Sequence, residues 1–198
     1  MSTQQAPQPT EKPGRYNRSF NGLIASMVVT VVALGGLLVF MGFFRNDLVV
    51  KPDAINYAGT IADAQQAGLE PVYPMPLPKG WIATGIDIPS PDEPGFMVRL
   101  LTDHSRYVGV RQEKASPGAL LSRWVDPDTT PIAGYTVPAT VAQPLAREWK
   151  GYTDGRDKAY VATVGDATVL VYGSASAKEL QTIVDALVTT PIVKSTSK

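Results

Sequence analysis

Twenty-six consecutive residues, Ser19 to Phe44, carry no formal charge, and this run constrains the chain more than anything else in it. From Leu23 onward the run is almost unbroken in its apolar character, through Val28, Val29, Val31, Val32, Leu34, Leu37 and Leu38 to Phe40, Met41, Phe43 and Phe44. As a helix rising about 1.5 Å per residue, the stretch from Leu23 to Phe44 would extend roughly 33 Å, close to the thickness of a bilayer's hydrocarbon core. The expectation is a transmembrane helix over 22–44 that meets the lipid bilayer through residues 23–44, with the rest of the chain read as what it anchors.

Charge sets the expected orientation. Lys12, Arg15 and Arg18 precede the run on a short tail, while Arg45 and Lys51 follow it. Short basic flanks are retained on the cytoplasmic side, so the N-terminus is expected in the cytoplasm and the C-terminal part outside. A cleaved signal peptide is the competing reading. Its apolar core is about 7 to 15 residues and ends in small residues, whereas this run is longer and closes on Phe40-Met41-Gly42-Phe43-Phe44. The chain has no cysteine, which rules out a thioether lipid anchor, disulfides and a cysteine nucleophile. Gly35, Gly36 and Gly42 do not make a G-x-x-x-G pairing motif, and no ionisable side chain marks a proton or ion path, so the helix reads as a simple anchor.

Beyond residue 44, 15 Lys and Arg face 17 Asp and Glu, a net charge of 15 − 17 = −2. No basic patch is signalled, and nucleic acid is not an expected partner. The length left is that of one domain. The expected organisation is a disordered cytoplasmic tail over 1–21, the span over 22–44, a helix and proline-rich lead-in over 45–80, an extracytoplasmic α+β domain over 81–191 and a disordered tail over 192–198.

Within the lead-in, Asp53 to Ala67 places Tyr57, Ile61 and Ala64 on one helical face before Gly68, and Pro71, Pro74, Pro76 and Pro78 then impose an extended path. Strands are expected over Trp81 to Ile88, with Ile82, Ile86 and Ile88 on one face, then over Phe96 to Thr102 and Tyr107 to Glu113. Ser116-Pro117 starts a short helix carrying Leu120, Leu121, Trp124 and Val125. Prolines and glycine make Ile132 to Gln143 irregular or a frayed edge. Strands follow over Leu145 to Tyr152, Ala159 to Val164 and Ala167 to Tyr172, the last two joined by a Gly165-Asp166 turn. Ser176 and Glu179 form a capping box for a final helix whose stripe is Leu180, Ile183, Val184, Leu187 and Val188. The fold class expected is therefore α+β, with an antiparallel sheet of about six strands packed against two or three helices.

Chemistry is sparse. Asp103-His104-Ser105 sets three triad residue types side by side, but adjacent residues in a turn point apart, and turn chemistry accounts for all of them. Asp126 with Asp128, and Asp154 with Asp157, are acidic enough for calcium yet read as ordinary turns. With a single histidine, a zinc site would need several carboxylates. Trp81, Trp124 and Trp149 fall in amphipathic elements, where a core role outweighs a ligand pocket. No catalytic, cofactor-binding or metal residue is assigned, and no cofactor is implied.

Pro76-Leu77-Pro78-Lys79-Gly80-Trp81 ahead of a strand, Arg106-Tyr107-Val108-Gly109-Val110, and Thr168 to Leu180 ahead of an amphipathic helix together resemble the actinobacterial membrane-anchored family called domain of unknown function 4245. The resemblance runs from the anchor to about Leu187. It implies a Gram-positive envelope setting and an extracytoplasmic domain, and it brings no activity or site residues. The expected function is a non-enzymatic binding or accessory module of the cell envelope, such as an accessory subunit of a larger membrane complex with a membrane or envelope protein as partner. A carrier of a lipid or small apolar ligand is the alternative, and a hydrolase using His104 comes third.

Overall fold

The computed structural model describes residues 20–43 and 52–192, the side chains at 20, 21, 38 and 41–43 excepted. The expectations for 1–19, 44–51 and 193–198 lie outside the described residues. Two compact units divide the chain, Met1–Val50 and Lys51–Lys198.

The first unit holds α1 (Phe20–Phe43), which has no polar face, and every described side chain on it is exposed. The hydroxyls of Ser26 and Thr30 donate to the carbonyls of Leu23 and Ser26, each at 2.9 Å. Counting only residues with described side chains, no helix is long and apolar enough to cross a membrane. In α1 the continuous stretch of such residues is 22–37, which is about 24 Å of helix.

The second unit is α+β, with one seven-stranded antiparallel sheet in the order β2-β3-β4-β8-β7-β6-β5. Its strands are β2 (Ile82–Asp87), β3 (Phe96–Leu101), β4 (Tyr107–Glu113), β5 (Thr130–Thr136), β6 (Glu148–Thr153), β7 (Lys158–Val164) and β8 (Ala167–Gly173). Two meanders, β2-β3-β4 and β5-β6-β7-β8, meet where β4 pairs with β8. The helices are α2 (Tyr57–Gln66), α3 (Pro117–Trp124) and α4 (Ala177–Ala186). Alternation along the central strands sends Val98, Leu100, Val108, Val110, Val169 and Val171 to one face, against Ile61 of α2 and Leu180, Ile183 and Val184 of α4. Met97, Leu170 and Tyr172 point the other way, against Leu120 and Leu121 of α3.

The seventh strand, one more than expected, is β5, which overlaps the start of the segment expected to be irregular or a frayed edge and is an edge strand. Pro131 is tolerated there because the strand is an edge, and a register irregularity between Ile132 and Tyr135 blunts it further. A second correction concerns β2. An irregularity between Ala83 and Gly85 breaks the expected Ile82, Ile86, Ile88 face: Ala83 and Ile86 turn to the apolar core, while Ile88 is 47% exposed. The Gly165-Asp166 hairpin is as expected, with Gly165 at φ 60°.

The last helix stops earlier than its apolar stripe. Leu187 is extended at φ −67°, ψ 132°, and Leu187–Val188 form β9, which pairs with β1 (Tyr73–Pro74) of the lead-in. Val188, Thr189 and Thr190 are β-branched, and the residue before Pro191 is barred from the helical region, so the backbone finds a ladder partner instead. Prolines leave the lead-in few donors. Val72 N–H reaches the side-chain carbonyl of Gln112 at 2.8 Å, Gln112 Nε2 donates back to the Glu70 carbonyl at 3.2 Å, and Met75 N–H reaches Ala186 O at 2.8 Å. Gln65 does the same at the far end, accepting from Ile192 N–H and donating to Thr190 O. Val72 and Tyr73 are thereby buried within the core.

Candidate functional site

The second face of the sheet holds the most unusual group in the molecule. Arg111 lies on β4, on the side that alternation shares with Tyr107, Gly109 and Glu113, and its side chain is wholly buried. A buried guanidinium costs several kcal/mol of solvation unless its donors are met by charge and hydrogen bonds. Here Nε and Nη2 donate to Glu113 Oε2 at 3.2 and 3.0 Å, and Nη1 donates to Glu93 Oε1 at 2.9 Å. Arg123 of α3 supplies a second cation, its Nη1 lying 2.9 Å from Glu113 Oε1. The Trp124 ring stacks on the Arg111 guanidinium, with Cζ 4.1 Å from the ring centroid. Two cations and two carboxylates cancel, which is what allows the group to sit inside the fold. Gly95 makes the room, because a Cβ there would overlap the guanidinium.

Beside this network, at the end of β4, opens a cleft of about 520 Å³. The lead-in from Gly68 to Pro71 forms one side, Pro89 and Pro94 another, and Phe96, Gln112, Glu113 and the β7–β8 hairpin complete it. On its rim Lys114 and Asp166 form an exposed pair at 2.5 Å, with the hydrogen bond from Lys114 holding the Asp166 carboxyl below its ordinary range. The volume falls within the range of small-ligand pockets. Further along the second face, Arg99 pairs with Asp87 at 2.6 Å, and Tyr107 and Tyr172 meet edge to face at 5.9 Å between centroids. Burial raises the pKa of both tyrosines.

The residues weighed from sequence fall elsewhere. His104 Nδ1 is 2.9 Å from Asp103 Oδ1 and 3.9 Å from Glu179 Oε1, so the fold brings to the Asp-His pair a carboxylate from α4. The other oxygen of Glu179 accepts from the Ser176 N–H and hydroxyl, at 2.7 and 2.6 Å, which caps that helix and lowers the Glu179 pKa. Ser105 takes a left-handed backbone, φ 58°, as a turn residue. The His104 imidazole is paired with carboxylates and its backbone N–H donates to Thr102 Oγ1 at 3.2 Å, and all three members of the cluster are at least partly exposed. Asp126 accepts from its own turn at Asp128 N–H, and Asp154 accepts from Arg156 and Asp157 N–H, which lowers its pKa. Trp149 is buried in the apolar cluster, Trp81 packs against it and Trp124 covers Arg111; none of the three lines the cleft.

Sequence reading missed Arg111 because Tyr-x-Gly-x-Arg-x-Glu on a strand looks like a solvent face. The available signal was that Arg123 and Trp124 sit on the one helix that must cross between the two meanders.

A family model described as "Protein of unknown function (DUF4245)" matches residues 15–187. No curated protein gives a significant match to the chain.

Proposed function

The chain belongs to the DUF4245 family of proteins of unknown function, and from that premise we propose that it is a single-pass, membrane-anchored binding or accessory module of a Gram-positive cell envelope. Its N-terminus is cytoplasmic and its folded unit extracytoplasmic in this reading, and a membrane or envelope protein is its partner. The observation that carries the reading is α1. Phe20–Phe43 form one helix, about 36 Å long, without an Asp, Glu, Lys or Arg in it. A helix apolar on every side belongs in a core or in lipid, and the described side chains of α1 are exposed. Ser26 and Thr30 return their hydroxyl protons to the helix's own carbonyls, which suits a medium that offers no other acceptor. Lys12, Arg15 and Arg18 ahead of the helix favour a cytoplasmic N-terminus.

A non-enzymatic role is supported by how the charged groups are employed. Arg111 ties β4 to the 90–93 turn, Glu113 ties it to Arg123 of α3, and Glu179 caps α4. Each of these groups is engaged in holding the fold together. The cleft favours a second reading, a carrier of a small apolar ligand, since Leu69, Pro71, Pro89, Pro94 and Phe96 give it apolar walls.

Full-length protein extracted from its native membrane in mild detergent should carry a stoichiometric protein partner. A solitary chain across several detergents would sink the accessory reading and favour the carrier, whose own mark is a lipid retained in native mass spectrometry. Because the chain has no cysteine, Thr3→Cys and Asp92→Cys each give one labelling site. In intact cells an impermeant maleimide should modify the second and spare the first; the reverse pattern overturns the orientation.

A further inference from the structure

The loop between β2 and β3 hangs on one bond. Ile88 to Pro94 is exposed throughout. Inside it, Ser90 N–H donates to Glu93 O at 2.9 Å, and Glu93 N–H returns to Ser90 O at 3.2 Å and to Ser90 Oγ at 3.1 Å, a closed turn that makes no demand on the rest of the fold. Among the described residues, the hydrogen bond that joins this turn to the body is the one from Arg111 Nη1 to the half-exposed Glu93. The two ends of that bond are unequal. Arg111 is fixed by Glu113, by Trp124 and by its burial, whereas, among the described residues, Glu93 sits on a turn whose other hydrogen bonds stay within itself.

The loop is also a wall. Pro89 and Pro94, the neighbour of Glu93, line the cleft of about 520 Å³, and so does Glu113, whose carboxylate holds the guanidinium. We propose that Ile88–Pro94 is a strap latched by Glu93, and that the site beneath it binds a ligand carboxylate on Arg111 in place of the Glu93 carboxylate. The chemistry follows from the donors. A guanidinium offers five N–H groups in a fixed fork. The bonds to Glu113 and Glu93 engage three of them; with Glu93 gone, both hydrogens on Nη1 and one on Nη2 are open. A free carboxylate can then meet the Nη1–Nη2 edge with both oxygens, where Glu93 meets Nη1 with one. Charge acts in the same direction. With Glu93 in place the two arginines and two glutamates are neutral; with Glu93 swung away the cluster carries one positive charge and calls for an anion. This inference does not depend on where the chain is anchored.

The test uses the full-length protein in detergent micelles. With no native cysteine, Asp92→Cys places a single spin label on the strap, in otherwise native protein and in Glu93→Ala. The label should rotate several-fold faster in the alanine protein, and equal spectra would overturn the latch. Sodium acetate, titrated at constant ionic strength against sodium chloride, is the probe for the site, with tryptophan fluorescence reporting from Trp124 beside Arg111. Glu93→Ala should saturate with acetate at a concentration at least tenfold below that needed by native protein, and Glu93→Gln, which keeps the side chain's size, should behave alike. An acetate response equal in native and variant proteins, or one that chloride reproduces, would overturn the carboxylate site.

Discussion

On the face covered by α2 and α4 the central strands present Val98, Leu100, Val108, Val110, Val169 and Val171, whereas on the face covered by α3 the same strands present Arg99, Tyr107, Arg111, Glu113 and Tyr172 among a few apolar residues. Both faces are closed by helices. The first is held by area removed from water, which is non-directional and roughly additive. The second is held by a charge cluster in which every member has a geometric obligation, so it should tolerate coordinated replacement and punish single removals.

That contrast sets the largest expected effect. Arg111→Ala leaves Glu113 buried without its main partner and should cost about 3–5 kcal/mol, read as a fall in the urea midpoint. Arg111→Met combined with Glu113→Leu, which fills the volume without charge, should recover most of the loss. On the apolar face Leu180→Ala should cost about 2–5 kcal/mol by transfer and cavity terms, and no second substitution of a neighbour to a smaller residue should recover it. If the double variant is no more stable than Arg111→Ala, the two faces do not differ in the way described.

Gly95→Ala is the next smaller. A methyl group at this position meets the guanidinium, and Arg111 has no free space to retreat into because Trp124 and Glu113 hold its other sides. Overpacking of this kind costs about 1–3 kcal/mol. The same change at Gly118, where an added Cβ meets nothing within 4 Å, should not destabilise the protein. Equal stability of the two variants would show that the guanidinium is less tightly fixed than its bonds imply.

The difference between the faces also explains what could be read from the sequence. The apolar face announces itself through period-two valines and through Leu180, Ile183 and Val184 at helical spacing, and a capping box or a Gly-Asp turn is a local signal that needs no partner. The polar face is non-local. Arg111 is buried because α3 crosses over it and because residue 95 is a glycine, and neither fact is visible from β4 alone. The same holds for β9: Leu187 and Val188 continue the helical stripe of α4, and only the arrival of Tyr73–Pro74 more than a hundred residues earlier makes them a strand. The cleft was not legible either, since its walls come from four separated segments.

The smallest effect belongs to the helix cap that closes the apolar face. The hydroxyl of Ser176, and then its N–H, donate to Glu179 and hold that carboxyl below its ordinary value. A carboxyl whose folded pKa is depressed contributes stability above its unfolded value, near about 4.3, and loses that contribution as pH falls through the lower folded value. Glu179→Gln should therefore be less stable than native protein at pH 7, and the gap should close as the pH falls below about 4. Ser176→Ala, which removes the hydroxyl donor and the acceptor of the Glu179 N–H together, should cost about 1 kcal/mol near neutrality and keep part of that gap in acid, because the lost bond from the Glu179 N–H does not titrate. Parallel stability curves for native and Glu179→Gln protein from pH 7 down to about 3 would mean that the cap works through hydrogen bonds alone and that its charge adds nothing.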